Sequence, residues 1–493
     1  VSALLLPALV LGPLAAGAVA AVVPRERGRV RAAVGLTTAA LTALACAVVV
    51  GGVATAPGHE VRVALAGWEP PLGIVLRADA ASAALLVLTT LVGVAVSVTV
   101  AVRDDAGGGP AFWPLWLGLW AALHGVYVTQ DLFNAYVLLE LVTVGAVSLV
   151  ALGKGRSAGP ALRYLFVAVV GSLLFLLAIA LVYAEAGTLD MSAAAGRVAP
   201  GPLLTAALAL TLVGMGAKMA LFPLHSWLPV AHPAAPAAVS AVLSALVVKA
   251  ALVVLWRFWV ALAPAAGGAA HVLAVASGVA GSAAVLWGGL MALRQRRLKR
   301  IVAYSTVTQV GYLALVLPLM APGGEAARAA WSGGLLLVVA HGLAKAAMFL
   351  AAGVLTAAYG SDHLEDLRGA MRHRPWVVAA LGVAGVSLAG LPPTLGFAAK
   401  WQLLAAGVES GQWWWVAALL AGGLLTVGYT AVVLRAVSAP ADAGEQAPEP
   451  PPAAVPTVQA AVPLALAVAA VVLSVLAGGL AGLVADTAPR GLA

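Results

Sequence analysis

PAAVSAVLSALVVKAALVVLWRF, residues 236–258, decides the class of this protein. Roughly 20 consecutive apolar residues cross a bilayer as a helix. This stretch of 23 carries one charge before Arg257, and that charge is Lys249, 13 residues in. A lysine at that depth cannot easily snorkel to either surface, and it costs about 2.5–3.5 kcal/mol on the insertion scale. Similar runs recur along the chain, at about 2–22, 31–52, 78–101, 112–130, 132–152, 160–184, 202–222, 270–293, 300–319, 329–358, 375–405, 412–436 and 459–484. With the first, they make fourteen expected spans of an all-α polytopic membrane protein.

Composition agrees. Apolar residues make up 63% and charged residues 9%, against about 25% charged in a soluble domain. The chain has 27 lysines and arginines. Four of its six lysines, Lys218, Lys249, Lys345 and Lys400, sit inside apolar runs, whereas the arginines gather between them. Arginine is always protonated and a buried lysine can be neutral, so the pattern selects a titratable amine. With fourteen spans, 17 basic residues fall in the odd loops and 6 in the even ones. The positive-inside rule then places the odd loops in the cytoplasm and both termini outside a bacterial cell membrane. Arg25, Arg27, Arg29 and Arg31 follow the first run rather than precede it, which argues against a signal peptide.

The net charge of +8 therefore reads as topology, spread over separate loops with no aromatic-rich soluble module, and nucleic acid is not an expected partner. Cys46 stands alone, so these 493 residues make no internal disulfide and hold no cysteine-ligated cluster. No P-loop or dinucleotide fingerprint is present, and no cofactor or metal site is expected; lipids are. Residues 58–77 alternate around Gly67 and Pro70–Pro71 and predict a short outer hairpin. The Pro- and Ala-rich stretch 438–458 reads as a cytoplasmic linker.

Four segments carry chemistry. In 131–152, DLFNAYVLLELVTVGAVSLVAL, Glu140 is an acid at membrane depth, and Asp131 suits a helix N-cap. In 214–236, GMGAKMALFPLHSWLPVAHPAAP, Lys218 precedes Pro223. The proline frees carbonyls one turn back, and these are expected to form a polar pocket with the lysine. His225 and His232 follow and suit loop residues. His341 and Lys345 are spaced i, i+4 and share a helix face. In 387–401, SLAGLPPTLGFAAKW, Gly390, Pro392, Pro393 and Gly396 break the helix before Lys400. The two breaks suggest inverted five-helix repeats over 112–258 and 270–436. The remainder is then an N-terminal unit, 1–111, with three helices and the hairpin, and a linker with a last helix, 437–493.

DLFNAYVLLE, FPLHSWLPVAHPAAPAAVSAVLSALVVK, LKRIVAYSTVTQVGYL, HGLAKAAMFL and GLPPTLGFAAK resemble the proton-translocating antiporter family. That family joins the antiporter-like membrane subunits of respiratory complex I to the Mrp-type multisubunit cation/proton antiporters. The likeness covers about residues 70–436, and PLGIVLRADAASAALLVL with DLFN looks most like the D-type Mrp subunit. Val230 departs from the aspartate usual after WLP. The resemblance implies a proton path in which Glu140 pairs with Lys218 and Lys249, His341, Lys345 and Lys400 follow along the midplane. It implies partner subunits of a hetero-oligomeric complex, with protons and sodium as substrates. A proton-pumping subunit of complex I or of a membrane-bound hydrogenase is the alternative.

Overall fold

A computed structural model describes residues 2–103, 107, 109–153, 155, 157–440 and 453–486. Lys154, Arg156 and most of the 438–458 linker lie outside the described residues. Two helices, α1 (Ser2–Val22) and α2 (Gly28–Thr55), lead into an antiparallel hairpin of β1 (Val61–Ala64) and β2 (Val75–Ala78), with Val61 opposite Ala78. Then come α3 (Ala80–Val102), α4 (Phe112–Val128), α5 (Leu132–Ala151), α6 (Ala158–Ala186), the short α7 (Met191–Ala195) and α8 (Pro202–Lys218). After a break, α9 (Leu228–Ala234) and α10 (Ala237–Val242) pass through a π turn at 243–247 into α11 (Val248–Ala266). The rest are α12 (Gly268–Leu293), α13 (Leu298–Ala314), α14 (Val316–Met320), α15 (Gly324–Tyr359), α16 (Ala370–His373), α17 (Pro375–Ala389), α18 (Leu395–Glu409), α19 (Trp413–Ser438), α20 (Thr457–Val475) and α21 (Ala477–Asp486). The expected hairpin is present.

Among the described residues, eleven helical stretches are long and apolar enough to cross a membrane. Three shorter apolar helices, α4, α8 and α17, lie where the sequence places three further runs. Local signals set the boundaries. Asp79, Asp131 and Asp190 each cap a helix by accepting from the backbone N–H three residues on. Gly187 and Gly360 end α6 and α15 in the left-handed conformation.

The interior is the run from α10 to α11 together with α13 and α15, which are buried almost throughout; α1, α2, α6, α12, α19 and α20 form the rim. Lipid tails are as apolar as leucine, so close packing rather than hydrophobic burial draws such helices together. Glycine pairs allow it at two crossings. A Cβ on Gly171 would lie 2.6 Å from the Gly214 carbonyl, and one on Gly214 would lie 2.5 Å from the Gly171 carbonyl. Gly281 and Gly311 oppose each other in the same way between α12 and α13. In α1, Pro13 leaves the Leu9 carbonyl without its helical donor. His124 of α4 supplies one from Nδ1 at 3.0 Å, while its Nε2 accepts from Trp120 Nε1 at 3.0 Å.

Two expectations are corrected. The helix containing Lys249 runs past the expected end at 258 to Ala266, so Arg257, one of the six basic residues counted to the even loops, lies inside it. It is tolerated there because Nη2 reaches Asp79 Oδ1 at 3.5 Å and Ser82 Oγ at 2.6 Å, and Nη1 reaches the Thr129 carbonyl at 3.4 Å. Burial alone would raise the Asp79 carboxyl, but Arg257, Arg77 and the Ser82 amide and hydroxyl outweigh it and hold it below the ordinary aspartate range. Lys299, expected in a loop, sits in the first turn of α13 and donates to the Ala235 carbonyl at 3.0 Å.

Candidate functional site

Lys218 is the last residue of α8, and its side chain reaches across to α5 and α6. Its Nζ donates to Glu140 Oε1 at 3.1 Å, Thr143 Oγ1 at 2.8 Å, the Ala168 carbonyl at 3.3 Å and Ser172 Oγ. Ser172 Oγ in turn contacts Glu140. An ammonium has three protons to place, so this one is fully satisfied and charge-paired. Lys218 is 6% exposed and Glu140 29%, so the acid end of the pair faces outward between α5 and α6.

The carbonyls freed at this break are used otherwise than expected. Gly216 O accepts from Leu221 N at 2.8 Å and Ala217 O from Trp227 Nε1 at 3.0 Å. Trp227 is held by stacking on Tyr164, ring centroids 4.1 Å apart. Among the described residues, no pocket of freed carbonyls surrounds Lys218.

The next three lysines have no carboxylate partner among the described residues. Lys249 is fully buried and donates to Ser244 O at 2.5 Å, a carbonyl within the π turn that precedes it. Such turns are frequent at functional sites. Lys345 donates to Val302 O at 2.9 Å and to Ser305 Oγ. Lys400, in α18, donates back to Leu388 O at 2.8 Å and Ala389 O at 3.2 Å, both at the end of α17, and lies 4.2 Å over the Tyr312 ring.

His341 is fully buried one turn before Lys345, and neither of its ring nitrogens has a hydrogen-bond partner among the described residues. It therefore does not bond Lys345 directly, although Lys249 and Lys345 are the charges that act on it. His232 is the residue the sequence undervalued. Far from a loop, it is fully buried, stacks on Phe349 at 4.5 Å, leaves both ring nitrogens without a partner, and feels Lys345, Lys299 and Lys249. Its neighbours Pro233 and Ala234 line a cleft of about 450 Å³, together with Lys299, Arg103 and Gln459. A buried set of two histidines and two lysines with no acid cannot hold all its protons at once.

Residues 129–426, more than half the chain, match the family described as NADH:quinone oxidoreductase/Mrp antiporter, TM. The chain belongs to that family. Within it, the chain is 36% identical over 414 residues to NADH-quinone oxidoreductase subunit N of Desulforudis audaxviator, covering 83% of this chain and 80% of the relative. It is 28% identical over 369 residues to the D-type subunit of the Na(+)/H(+) antiporter of Alkalihalophilus pseudofirmus, covering 74% and 73%. The fold is similar to that of a protein in the structure of the Mrp complex from Dietzia sp. DQ12-45-1b, with a TM-score of 0.86, 26% identity and coverage of 99% and 97%. The family match encloses all six residues singled out from the sequence.

Proposed function

We propose that this family member is a D-type subunit of a multisubunit cation/proton antiporter in a bacterial cell membrane. Glu140, Lys218, Lys249, His341, Lys345 and Lys400 carry protons along the midplane, with partner subunits completing the exchange with sodium. One observation carries the reading. A single lysine at membrane depth is paired with an acid, and three further lysines rest on neutral groups with no acid among the described residues.

Glu140 stabilises the Lys218 ammonium. Separation of the two leaves a buried charge unpaired, and the lysine then gives its proton inward. Lys249 has one acceptor for three N–H groups, so a charge there is quickly passed on. His341 and Lys345 share its surroundings, and water bridges the longer gaps to Lys400. The cleft beside His232 and Lys299 gives protons a way in from one face. The proposed units are 1–111, two inverted repeats at 112–258 and 270–436, and 437–493, with the odd loops cytoplasmic.

A second reading is favoured by the 36% identity to a quinone oxidoreductase subunit. There the same path is driven by electron transfer in partner subunits. The test is sodium-driven proton flux in vesicles bearing the whole complex, with and without this chain. Flux that depends on sodium and on this chain supports the antiporter. Proton movement that needs an electron donor and ignores sodium selects the second reading. The isolated chain is expected to exchange little, and robust exchange by it alone would remove the requirement for partners.

A further inference from the structure

Between Lys345 and Lys400 lies a set of polar side chains that the six-residue path does not use. Lys345 of α15 holds Ser305 Oγ on α13. The hydroxyl of Tyr429, on α19, faces both Ser305 and Gln309 and donates to Thr426 Oγ1 at 3.2 Å. Gln309, one turn beyond Ser305 on α13, donates from Nε2 to Leu388 O at 3.1 Å. That same carbonyl accepts from Lys400 Nζ at 2.8 Å. The far oxygen of Gln309, Oε1, is buried and has no hydrogen-bond partner among the described residues. The hydroxyl of Thr430, next to Tyr429, is in the same state. Tyr429, Thr430, Ser305 and Val302 also line a cavity of about 10 Å³, which is room for one water with several polar partners.

A buried amide oxygen without a donor costs about 1–3 kcal/mol. A phenol hydroxyl beside it can remove that cost by rotating, because a hydroxyl both donates and accepts. The donor turned to Thr426 Oγ1 can turn instead to Gln309 Oε1. Doing so fixes the amide whose other end shares the Leu388 carbonyl with Lys400. We propose that Ser305, Tyr429 and Gln309 form a hydrogen-bonded link that couples Lys345 to Lys400, with the Tyr429 hydroxyl as its movable member. All three are positioning residues, and none carries the proton away. When Lys345 lets go of Ser305, the Tyr429 hydroxyl turns from Thr426 to Gln309 and the hold of Leu388 on Lys400 changes. The link deepens the proton-path reading and rests on it.

The experiment measures sodium-driven proton flux in vesicles bearing the whole complex, for Tyr429→Phe, Gln309→Met, the double variant and Lys400→Met. Assembly of each variant is checked first. Tyr429→Phe removes one oxygen and is expected to lower the maximal rate about ten-fold, the scale of one buried hydrogen bond. The half-saturating sodium concentration should not move, whereas a general packing defect would change both or cut assembly. Gln309→Met is expected to do the same, and the double variant should be no slower than either single, since both cut one link. Normal flux in assembled Tyr429→Phe, or losses that multiply in the double variant, would overturn the link. Lys400→Met separates this from the parent reading. If it is inactive while Tyr429→Phe is normal, the link alone falls. If Lys400→Met is itself normal, the path through Lys400 falls and the link with it.

Discussion

The two broken helices look alike in sequence and treat their lysines in opposite ways. Each has a proline break, and Phe222–Pro223 and Pro392–Pro393 are both cis. Each has a lysine close by. Lys218 ignores the freed carbonyls and finds an acid on another helix. Lys400 is held by the freed carbonyls of Leu388 and Ala389 and has no acid among the described residues. The cause is chain direction. Every Cα–Cβ bond in a helix leans toward its N-terminus. Lys218 ends the helix before its break, so its side chain leans away from it. Lys400 follows its break by one and a half turns and leans back into it. Reversing the order of lysine and proline therefore exchanges a charge-paired site for a carbonyl-held one.

The largest expected effect removes the paired end. Glu140→Ala and Lys218→Ala should each lower sodium-driven proton flux on the order of 100-fold, equivalent to about 2.7 kcal/mol, while the complex still assembles. Normal flux in either assembled variant would show that the pair is not used. Next comes the carbonyl-held end. Lys400→Arg and Lys249→Arg keep a charge that cannot be released and should be nearly as slow as their alanine variants in the same vesicles. Assembly must be measured first, because added bulk in a packed interior costs about 1–3 kcal/mol. Near-normal flux would make these lysines fixed charges and leave the path to His341 and water.

A smaller effect probes the second break directly. Gly390 has φ +82°, and a Cβ there would lie 2.5 Å from Lys400 Cδ. Gly390→Ala should strain the turn by about 1–2 kcal/mol and push the lysine stem off its carbonyls. Flux should fall severalfold at normal assembly; unchanged flux would mean that the carbonyl hold is dispensable. The first break offers the mirror test. Ala220 sits at φ +62° without being glycine. Ala220→Gly relieves about 1–2 kcal/mol of left-handed strain against glycine's entropy loss of about 0.5–1 kcal/mol. A slight rise in Tm is expected with flux unchanged, because Lys218 does not depend on that turn. A fall in flux would tie Lys218 to the break after all.

The apolar helices, the hairpin and the buried lysines were legible because each shows in a local window of composition or period. The partners of those lysines were not. Thr143, Ser172, Ser305 and Tyr312 are ordinary polar or aromatic residues in apolar helices, and they meet their lysines across 40 or more residues of chain. The π turn at 243–247 left no mark in its residues, since LSALV suits a plain helix equally well. His232 misled because a lone histidine near the end of an apolar run suits a loop, and Pro229, Pro233 and Pro236 lie around it. In the fold Pro229 opens α9, Pro233 lies inside it and Pro236 precedes α10, and the imidazole packs inward on Phe349. Arg257 misled in the other direction. Its cation marks the end of the run in the sequence, yet Asp79, which caps α3 just after the hairpin, neutralises it within the helix.

The 36 residues of α15 run unbroken from Gly324 to Tyr359 and are enclosed by neighbours over the middle of their length. At 1.5 Å per residue the helix is about 54 Å long, against a hydrocarbon thickness of about 30 Å. Both ends therefore stand clear of the lipid while His341 and Lys345 ride near mid-height. Such a rod has no joint to bend at, so a push at one face of the membrane moves the other face and tilts the two titrating groups together. In the proposed proton path it would act as a lever whose load is a proton.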